Sequence, residues 1–519
     1  NLVDDNFEND FLPLSPETLV NDSCDSYNPK LSLPNNLDEE NNKNCLSGRR
    51  IINIDYFLKS LQSIKHESFN CSIQNLAFKS EIKKGFFSEF HFECNLCRKK
   101  EVIFSEHPDK SESLSINAAI VTAIVNTGQG FTNLEQFSSI LDMPCMSNKT
   151  YQKYHQFLSK QTENTAWESI ELAGEEEARL AVENGDINCD GIPMITVVAD
   201  GAWSKRSYKH NYNAPSGVAC IVGYRTKKVL FIGVRNKYCS ICQKACANNK
   251  DPPVHLCYKN WNGTSTAMEA DIIVEGFRQS IPMHNIIYHK LIGDGDSSVL
   301  KKIILAKPYG NDLDVKKIEC ANHILRNYLN RLVDIATKRK SSSGSVVPGL
   351  LRKNLKEKRL RLRCAVTNAI KHRMKMDCPT KYKVALLKED IDNGPYHVFG
   401  CHDKCSSYFC SGNKPSEMNL IPEMEQCGLW QDIISAKNLV AHHSESLICF
   451  VNNNCVENYN SIVAKYTGGK RVNFSLRGSY QTRCATAVTA YNYGPYIQPK
   501  ETFHKGQMKI MEPFILRVK

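Results

Sequence analysis

Two β-type runs in this chain close on aspartate, and a glutamate follows far downstream in a helical context. The first run is Met194-Ile195-Thr196-Val197-Val198-Ala199, closing on Asp200. The second runs from Ile286 to Gly293 and closes on Asp294. The glutamate, Glu457, lies in Asn454-Cys455-Val456-Glu457-Asn458-Tyr459. Three carboxylates delivered by separate elements can hold a pair of hard divalent cations. Such a pair stabilises both the attacking and the leaving oxygen of a phosphodiester.

The segments between the acids set the fold class. Two β-rich runs, Gly217 to Tyr224 and Lys228 to Val234, follow Asp200, and Thr226-Lys227 between them suits a hairpin turn. A helix is expected from Ser265 to Gln279, then the Asp294 strand and a helix from Ser297 to Ala306. A strand from Val315 to Glu319 and a helix from Asn322 to Ala336 complete the series. Three strands, helix, strand, helix, strand, helix is the order of a ribonuclease-H-like α/β core. In that fold the first strand is central, its acid lies beside the acid ending the fourth strand, and a later helix supplies the third. Asp200-Gly201 and Asp294-Gly295 are also good turn pairs, so each aspartate alone reads as a turn cap. It is the strand order that favours a nuclease or DNA-strand-transfer core. Asp296 and Glu445 are the alternative acids.

Around this core the chain divides into expected regions. Residues 1–48 are rich in Asn, Asp, Ser and Pro and read as a disordered arm. A Cys/His module spans 49–115, and a helical region spans 116–190, broken at Gly128-Gln129-Gly130. The second helix of that region, Lys149 to Glu183, is acid-rich from Ala166 to Leu180 and reads as a solvated face. The first part of the core covers 191–337 and carries a zinc-binding loop over 236–262. A basic helical and Cys/His insertion occupies 338–444, including a helix from Leu350 to Met376. Residues 445–495 complete the core with the Glu457 helix, and 496–519 form a tail.

The net charge of +11 suits a polyanionic partner. The 22 cysteines fall into Cys-x-x-Cys and Cys/His groups, as metal ligands do, rather than into a disulfide scaffold. A reducing, intracellular compartment follows. No apolar run approaches the roughly 20 residues of a membrane span, and no signal-peptide pattern is present.

Cys239-x-x-Cys242 with His255-x-Cys257 suits tetrahedral zinc, with Cys246 as a spare ligand. His66, Cys71, Cys94 and Cys97 form a second candidate zinc set, in a module too small to be stable on its apolar core alone. His397, Cys401, His402, Cys405 and Cys410 form a third cluster with more ligands than one ion needs; His402, Cys405 and Cys410 are preferred. Cys320-x-x-His323 starts the helix after the fifth strand. It reads as a packed helix start, as part of the third cluster, or as a pair placing His323 near the acids. Lys465, Lys470, Arg471 and Arg477, around Gly468-Gly469, are expected to hold substrate phosphates near Glu457.

Several strings then resemble a known family. They are Val198-Ala199-Asp200-Gly201-Ala202-Trp203, His255-x-Cys257-x-x-Asn260-Trp261-x-Gly263-Thr264-Ser265, Gly293-Asp294-Gly295-Asp296-Ser297-Ser298, Glu319-Cys320-Ala321-Asn322-His323 and Gly469-Lys470-Arg471-Val472-Asn473-Phe474. In combination they resemble the Mutator-like transposase domain over roughly Gly48 to Tyr493. The resemblance implies a DDE-type transposase that cuts double-stranded DNA at element ends and joins the freed 3′-hydroxyl to target DNA. It implies Mg²⁺ or Mn²⁺ at Asp200, Asp294 and Glu457, structural zinc, a nuclear location and a possible homo-oligomer. It also matches Cys320 and His323 to a motif of the family, placing His323 beside the acids. A second reading is a host-recruited, catalytically inactive DNA-binding or chromatin-associated zinc protein, which would bind DNA without cutting it.

Overall fold

The β-branched run around Val197 lies at the centre of the fold. This computed structural model describes residues 46–494, except 67–69, 109–113, 206–212, 295–296, 312, 413–416 and 471. The expected arm, apart from residues 46–48, and the expected tail therefore lie outside the described residues, as do Asp296 and Arg471.

Helix α1 (Ile54–Gln62) precedes an antiparallel meander of β1 (Leu76–Lys84), β2 (Phe87–Cys94) and β3 (Lys100–Phe104). Helices α2 (Ile116–Asn126), α3 (Phe131–Ile140) and the long α4 (Asn148–Glu183) follow. The break between α2 and α3 has a steric cause. Gly128 has φ +76°, and a Cβ there would lie 2.3 Å from the Lys465 carbonyl oxygen, so only glycine fits both the turn and the close approach.

The main sheet contains β4 (Met194–Trp203), β5 (Ser216–Gly223), β6 (Val229–Asn236), β7 (Ile287–Gly293) and β8 (Lys316–Glu319). Its order is β6-β5-β4-β7-β8. β4 runs antiparallel to β5, and β5 to β6, whereas β7 and β8 run parallel to β4. Short α5 (Ser240–Ala247) and α6 (Ala267–His284) lead into β7, and α7 (Ser297–Ala306) leads into β8. After β8 come α8 (Ala321–Thr337), α9 (Gly349–Met374), α10 (Thr380–Val398), α11 (Ile421–Gln426), α12 (Leu429–His442) and α13 (Ser444–Leu447). Then α14 (Asn454–Tyr466) and α15 (Ser479–Tyr493) return to the sheet.

Strand alternation explains the layers, because successive side chains point to opposite faces. Val198, Ala202, Val218, Cys220 and Ile292 pack with Val456, Tyr459 and Val463 of α14 and with α15. Ile195, Val197, Ala199, Ile221 and Leu291 pack with Ile272, Ile273 and Phe277 of α6 and with α7. Each aliphatic side chain fully buried in these layers contributes roughly 1.5–3 kcal/mol relative to exposure. β7 carries a bulge: Ile195 pairs with Tyr288 but Thr196 pairs with Lys290. That extra residue reverses the alternation, so Tyr288 and Leu291 share the α6 side and Ile292 turns toward α14.

The segment between α8 and α14 has its own helical core. Leu355, Leu362, Val366 and Ile370 form the inward stripe of α9 and pack with Leu325, Ile391, Trp430 and Ile433. The opposite face of α9 exposes Lys353 and Lys356. Arg373 departs from the solvated pattern. It turns inward and pairs bidentately with Asp390 at 2.6 and 3.0 Å.

Three local expectations are corrected. Asp200 does not end its strand, because β4 continues through Gly201 and Ala202 to Trp203 in register with β5. Helix α6 runs to His284 rather than stopping at Gln279. The acid-rich centre of α4 is not simply solvated. Glu177 is 0 % exposed, and its Oε1 accepts the backbone N–H groups of Arg225 and Thr226 and the Thr226 hydroxyl. It caps the β5–β6 turn, where Lys227 adopts φ +59°. Among the described residues, no helix is long and apolar enough to cross a membrane.

Candidate active site and metal clusters

Period two carries Asp200 to the face that α14 covers, since Val198 and Ala202 on either side of it pack there. The last registered pair between β4 and β7 is Val198 with Ile292. Asp200 and Asp294 thus each stand two residues beyond it, on adjacent parallel strands about 4.8 Å apart. Glu457 occupies the first turn of α14, where the helix dipole favours an anion. Asp200 Oδ1 accepts the Gly201 N–H at 2.8 Å, and Oδ2 accepts from Asn460 Nδ2 at 2.9 Å. Burial raises the Asp200 pKa to about 6, with the charges of Asp294 and Glu457 adding to the rise and the two hydrogen bonds opposing it. A carboxyl pushed up by burial beside other carboxylates is one that a cation would return to its charged form.

The Cys320-x-x-His323 pair splits into two roles. Cys320 is buried, its N–H donates to Gly293 O at 3.0 Å, and its thiol lies 3.2 Å from Asn453 Oδ1. The Ala321 N–H donates to Val451 O at 2.9 Å, and Asn322 Nδ2 to Asn454 Oδ1 at 3.3 Å. These bonds fasten the start of α8 to the end of β7 on one side and to the start of α14 on the other. One turn later, His323 Nε2 lies 3.6 Å from Glu457 Oε1, and its buried Nδ1 has no hydrogen-bond partner. Neither residue belongs to a Cys/His cluster.

Asn460 escaped the sequence reading. Its position was legible in principle: three residues after Glu457 on a helix is the same face. The basic residues are spread over α14 and the segment after it. Lys465 lies eight residues after Glu457 on α14, about 12 Å along the axis at 1.5 Å per residue. Lys470 and Arg477 follow beyond the end of that helix. The segment that carries Arg477 is tied through Ser475 to Ser216 and Asn236, at the end of the sheet toward which β4 runs from Asp200. The alternative acid Glu445 lies in α13.

Among the described residues, three Cys/His groups gather their ligand atoms within 4.8 Å of one another: His66, Cys71, Cys94 and Cys97; Cys239, Cys242, His255 and Cys257; His397, His402, Cys405 and Cys410. In the third, His397 is the fourth member. Cys401 lies outside that set, with its thiol 3.5 Å from Asp403, and Cys246 lies outside the second. Zinc bonds of about 2.3 Å to sulfur and 2.0–2.1 Å to nitrogen place tetrahedral ligand atoms roughly 3.3–3.8 Å apart. Cys239 Sγ lies 3.2 Å and Cys242 Sγ 3.5 Å from His255 Nε2, and Cys242 Sγ lies 3.6 Å from Cys257 Sγ. In the third group, Cys405 and Cys410 lie 3.7 and 3.3 Å from His402 Nδ1.

One histidine in each group also has its other ring nitrogen fixed. His66 Nε2 lies 3.1 Å from Glu101, His402 Nε2 3.2 Å from Glu417, and His255 Nδ1 2.7 Å from Pro253 O. Oxygen partners of this kind set the tautomer of a metal-bound imidazole. At Cys239 burial opposes ionisation, but the N–H groups of Cys242 and Ile241, with His255, bring the thiol down to about 6. The donor sets therefore fit zinc.

A family model described as Mutator-like transposase matches residues 48–410. That span is most of the chain, and the protein belongs to the Mutator-like transposase family. It contains Asp200, Asp294, His323 and all three Cys/His groups, and it ends before Glu457 and Asn460. No curated protein matches the chain.

Proposed function

We propose that this protein is a DDE-type transposase with a ribonuclease-H-like core, cutting double-stranded DNA and joining the freed 3′-hydroxyl to target DNA. The observation that carries this reading is that Asn460, three residues after Glu457 on α14, donates to Asp200 Oδ2 at 2.9 Å, with Asp294 two residues past the last β4–β7 pair. Acids on a central strand, just past the end of its parallel neighbour and on a returning helix are the kind of oxygen donors that paired divalent cations require. Asp200, Asp294 and Glu457 would hold Mg²⁺ or Mn²⁺, which when bound would stabilise the charge on the attacking and leaving oxygens. Asn460 would orient Asp200, and His323, whose Nε2 lies 3.6 Å from Glu457 Oε1, would stand beside the acids. The three Cys/His groups would hold structural zinc. Family membership and the basic charge support DNA as partner and the nucleus as the place of action, and the pairing of two element ends favours a homo-oligomer.

Nicking of supercoiled plasmid with Mn²⁺ tests the reading. The wild-type protein is expected to nick, and Asp294→Asn to lose at least about a hundredfold in rate, as loss of charge stabilisation at a reacting centre does. Equal nicking by the two proteins would contradict it. Salt-sensitive binding without nicking by either would favour a recruited DNA-binding protein.

A further inference from the structure

We propose that α9 is a second DNA-binding element, holding the phosphates of the duplex that flanks the cut through Arg352, Lys356, Arg359 and Arg363. The inference rests on the DNA-processing reading above and adds a surface to it. Helix α9 contains nine Lys or Arg residues and a single acid, Glu357. Without that helix the chain, at +11, would lie close to charge balance. Its neighbour α10, which packs into the same core, sets three Lys against Glu389, Asp390 and Asp392. An ordinary solvated face mixes the two signs as α10 does, and α9 does not.

The basic residues of α9 divide into two sets. Lys353, Arg361 and Arg373 face Glu357, Glu417 and Asp390, and Lys358 donates to Val398 O at 3.2 Å. These side chains serve the insertion itself. Arg352, Lys356, Arg359 and Arg363 stand in no ion pair among the described residues; the Arg359 guanidinium donates only to the Lys356 carbonyl. Intervals of four, three and four residues put the four on one flank of the helix. Lys356 is exposed and the other three are half-buried. Helix stability does not account for this row. Arg352 with Lys356, and Arg359 with Arg363, are like charges one turn apart, which destabilises a helix. Arg352 also lies in the first turn, where the dipole favours anions. The row is a cost to the free protein that a polyanion would offset.

Length and position select duplex DNA. Eleven residues of helix from Arg352 to Arg363 cover about 16 Å, the length of about five base-pair steps. A row of that length matches a repeating anion rather than a single one. Helix α8 begins at the acids, where the Cys320 N–H donates to Gly293 O and His323 lies 3.6 Å from Glu457. After α8 the chain turns back: Lys340 pairs with Val346, and the Val347 N–H donates to Arg339 O at 2.9 Å. Leu351, Leu355 and Leu362 of α9 then share a core with Leu325, Tyr328 and Leu332 of α8. The row is thus carried by the helical pair that starts at the acids. Lys and Arg heads on long stems meet phosphates rather than base edges, so the contact positions the duplex without reading its sequence.

The test follows binding of the full-length, zinc-loaded protein to two duplexes of unrelated sequence, by fluorescence anisotropy from about 50 to about 200 mM salt without Mg²⁺ or Mn²⁺. Each phosphate contact adds about 0.9 to the steepness of log affinity against log salt. Lys356→Gln with Arg363→Gln is expected to reduce that steepness by about 2 and to weaken both duplexes alike. Lys381→Gln with Lys388→Gln removes the same charge from exposed positions of α10 and is expected to leave the steepness unchanged. If the α9 pair does not fold, Lys356→Glu, at an exposed position, decides with a fall of at least about 1. A wild-type salt dependence in the α9 variants, an equal fall in the α10 variant, or a loss confined to one sequence would overturn the α9 surface and leave the nuclease reading standing. A wild type that binds neither duplex would overturn both.

Discussion

At the residue scale, Asp200 sets the behaviour of the site. Its folded pKa of about 6 exceeds the ordinary 3.8. Between those values the folded chain therefore holds a proton that the unfolded chain has released. By linkage this group's contribution to the stability of the metal-free protein falls as pH rises through that window. Asp200→Asn is expected to stabilise the metal-free protein at pH 7 by on the order of 1–3 kcal/mol, a gain that shrinks as pH falls from about 6 to about 4. Urea melts of the two proteins across that range check it; a difference that does not change with pH would contradict the assignment. The sequence made Asp200 legible because a β-branched run leads into it. Asn460 shares a helix face with Glu457, but its role was missed because its partner, Asp200, is 260 residues away in sequence. Glu177 was misread for a related reason: the turn it caps, at Arg225 and Thr226, lies far away in sequence.

At the scale of elements, Arg483 joins the two ends of the chain's fold. It is 1 % exposed and sits on α15. Its guanidinium donates to Val125 O at the end of α2, to Gln129 O in the α2–α3 turn and to Tyr466 O at the end of α14. It also lies 3.7 Å from the centre of the Phe474 ring. Burial brings its pKa down to about 10, yet it stays charged, because helix C-termini present carbonyl oxygens and a negative dipole end. Arg483→Met would take their donor from the Gln129 and Tyr466 carbonyls, at about 1–3 kcal/mol each, while Val125 O keeps the Gly128 N–H at 3.0 Å. A loss of at least about 3 kcal/mol in urea unfolding is expected, with little recovery in Arg483→Lys, which lacks the planar fork. A change under about 0.5 kcal/mol, the size of an ordinary surface substitution, would contradict this. Element order was readable from the sequence because apolar period and turn residues are local. The register of α14 on the sheet was not, because the pair that sets it, Asn460 with Asp200, is 260 residues apart in sequence.

At the scale of the whole molecule, the protein is a sheet core interrupted by a helical insertion and bordered by Cys/His groups. Each group draws on a loop with little apolar surface, so metal would supply what packing does not. The purified protein is expected to carry about three zinc ions per chain by elemental analysis, one per group. Cys242→Ser should carry one fewer; an unchanged count would remove the Cys239 group from the set. The spacing in the sequence offered the members of all three groups, but the choice of His397 over Cys401 in the third waits on the end of α10, which brings His397 to 3.1 Å from His402. The central claim is that Asp200, Asp294 and Glu457 form one cation site, and it is tested most directly without DNA. Isothermal titration of the zinc-loaded protein with Mn²⁺ should show saturable binding that weakens as pH falls below about 6, the Asp200 value, and that is lost in both Asp200→Asn and Glu457→Gln. Mn²⁺ binding of wild-type affinity in either variant would contradict it.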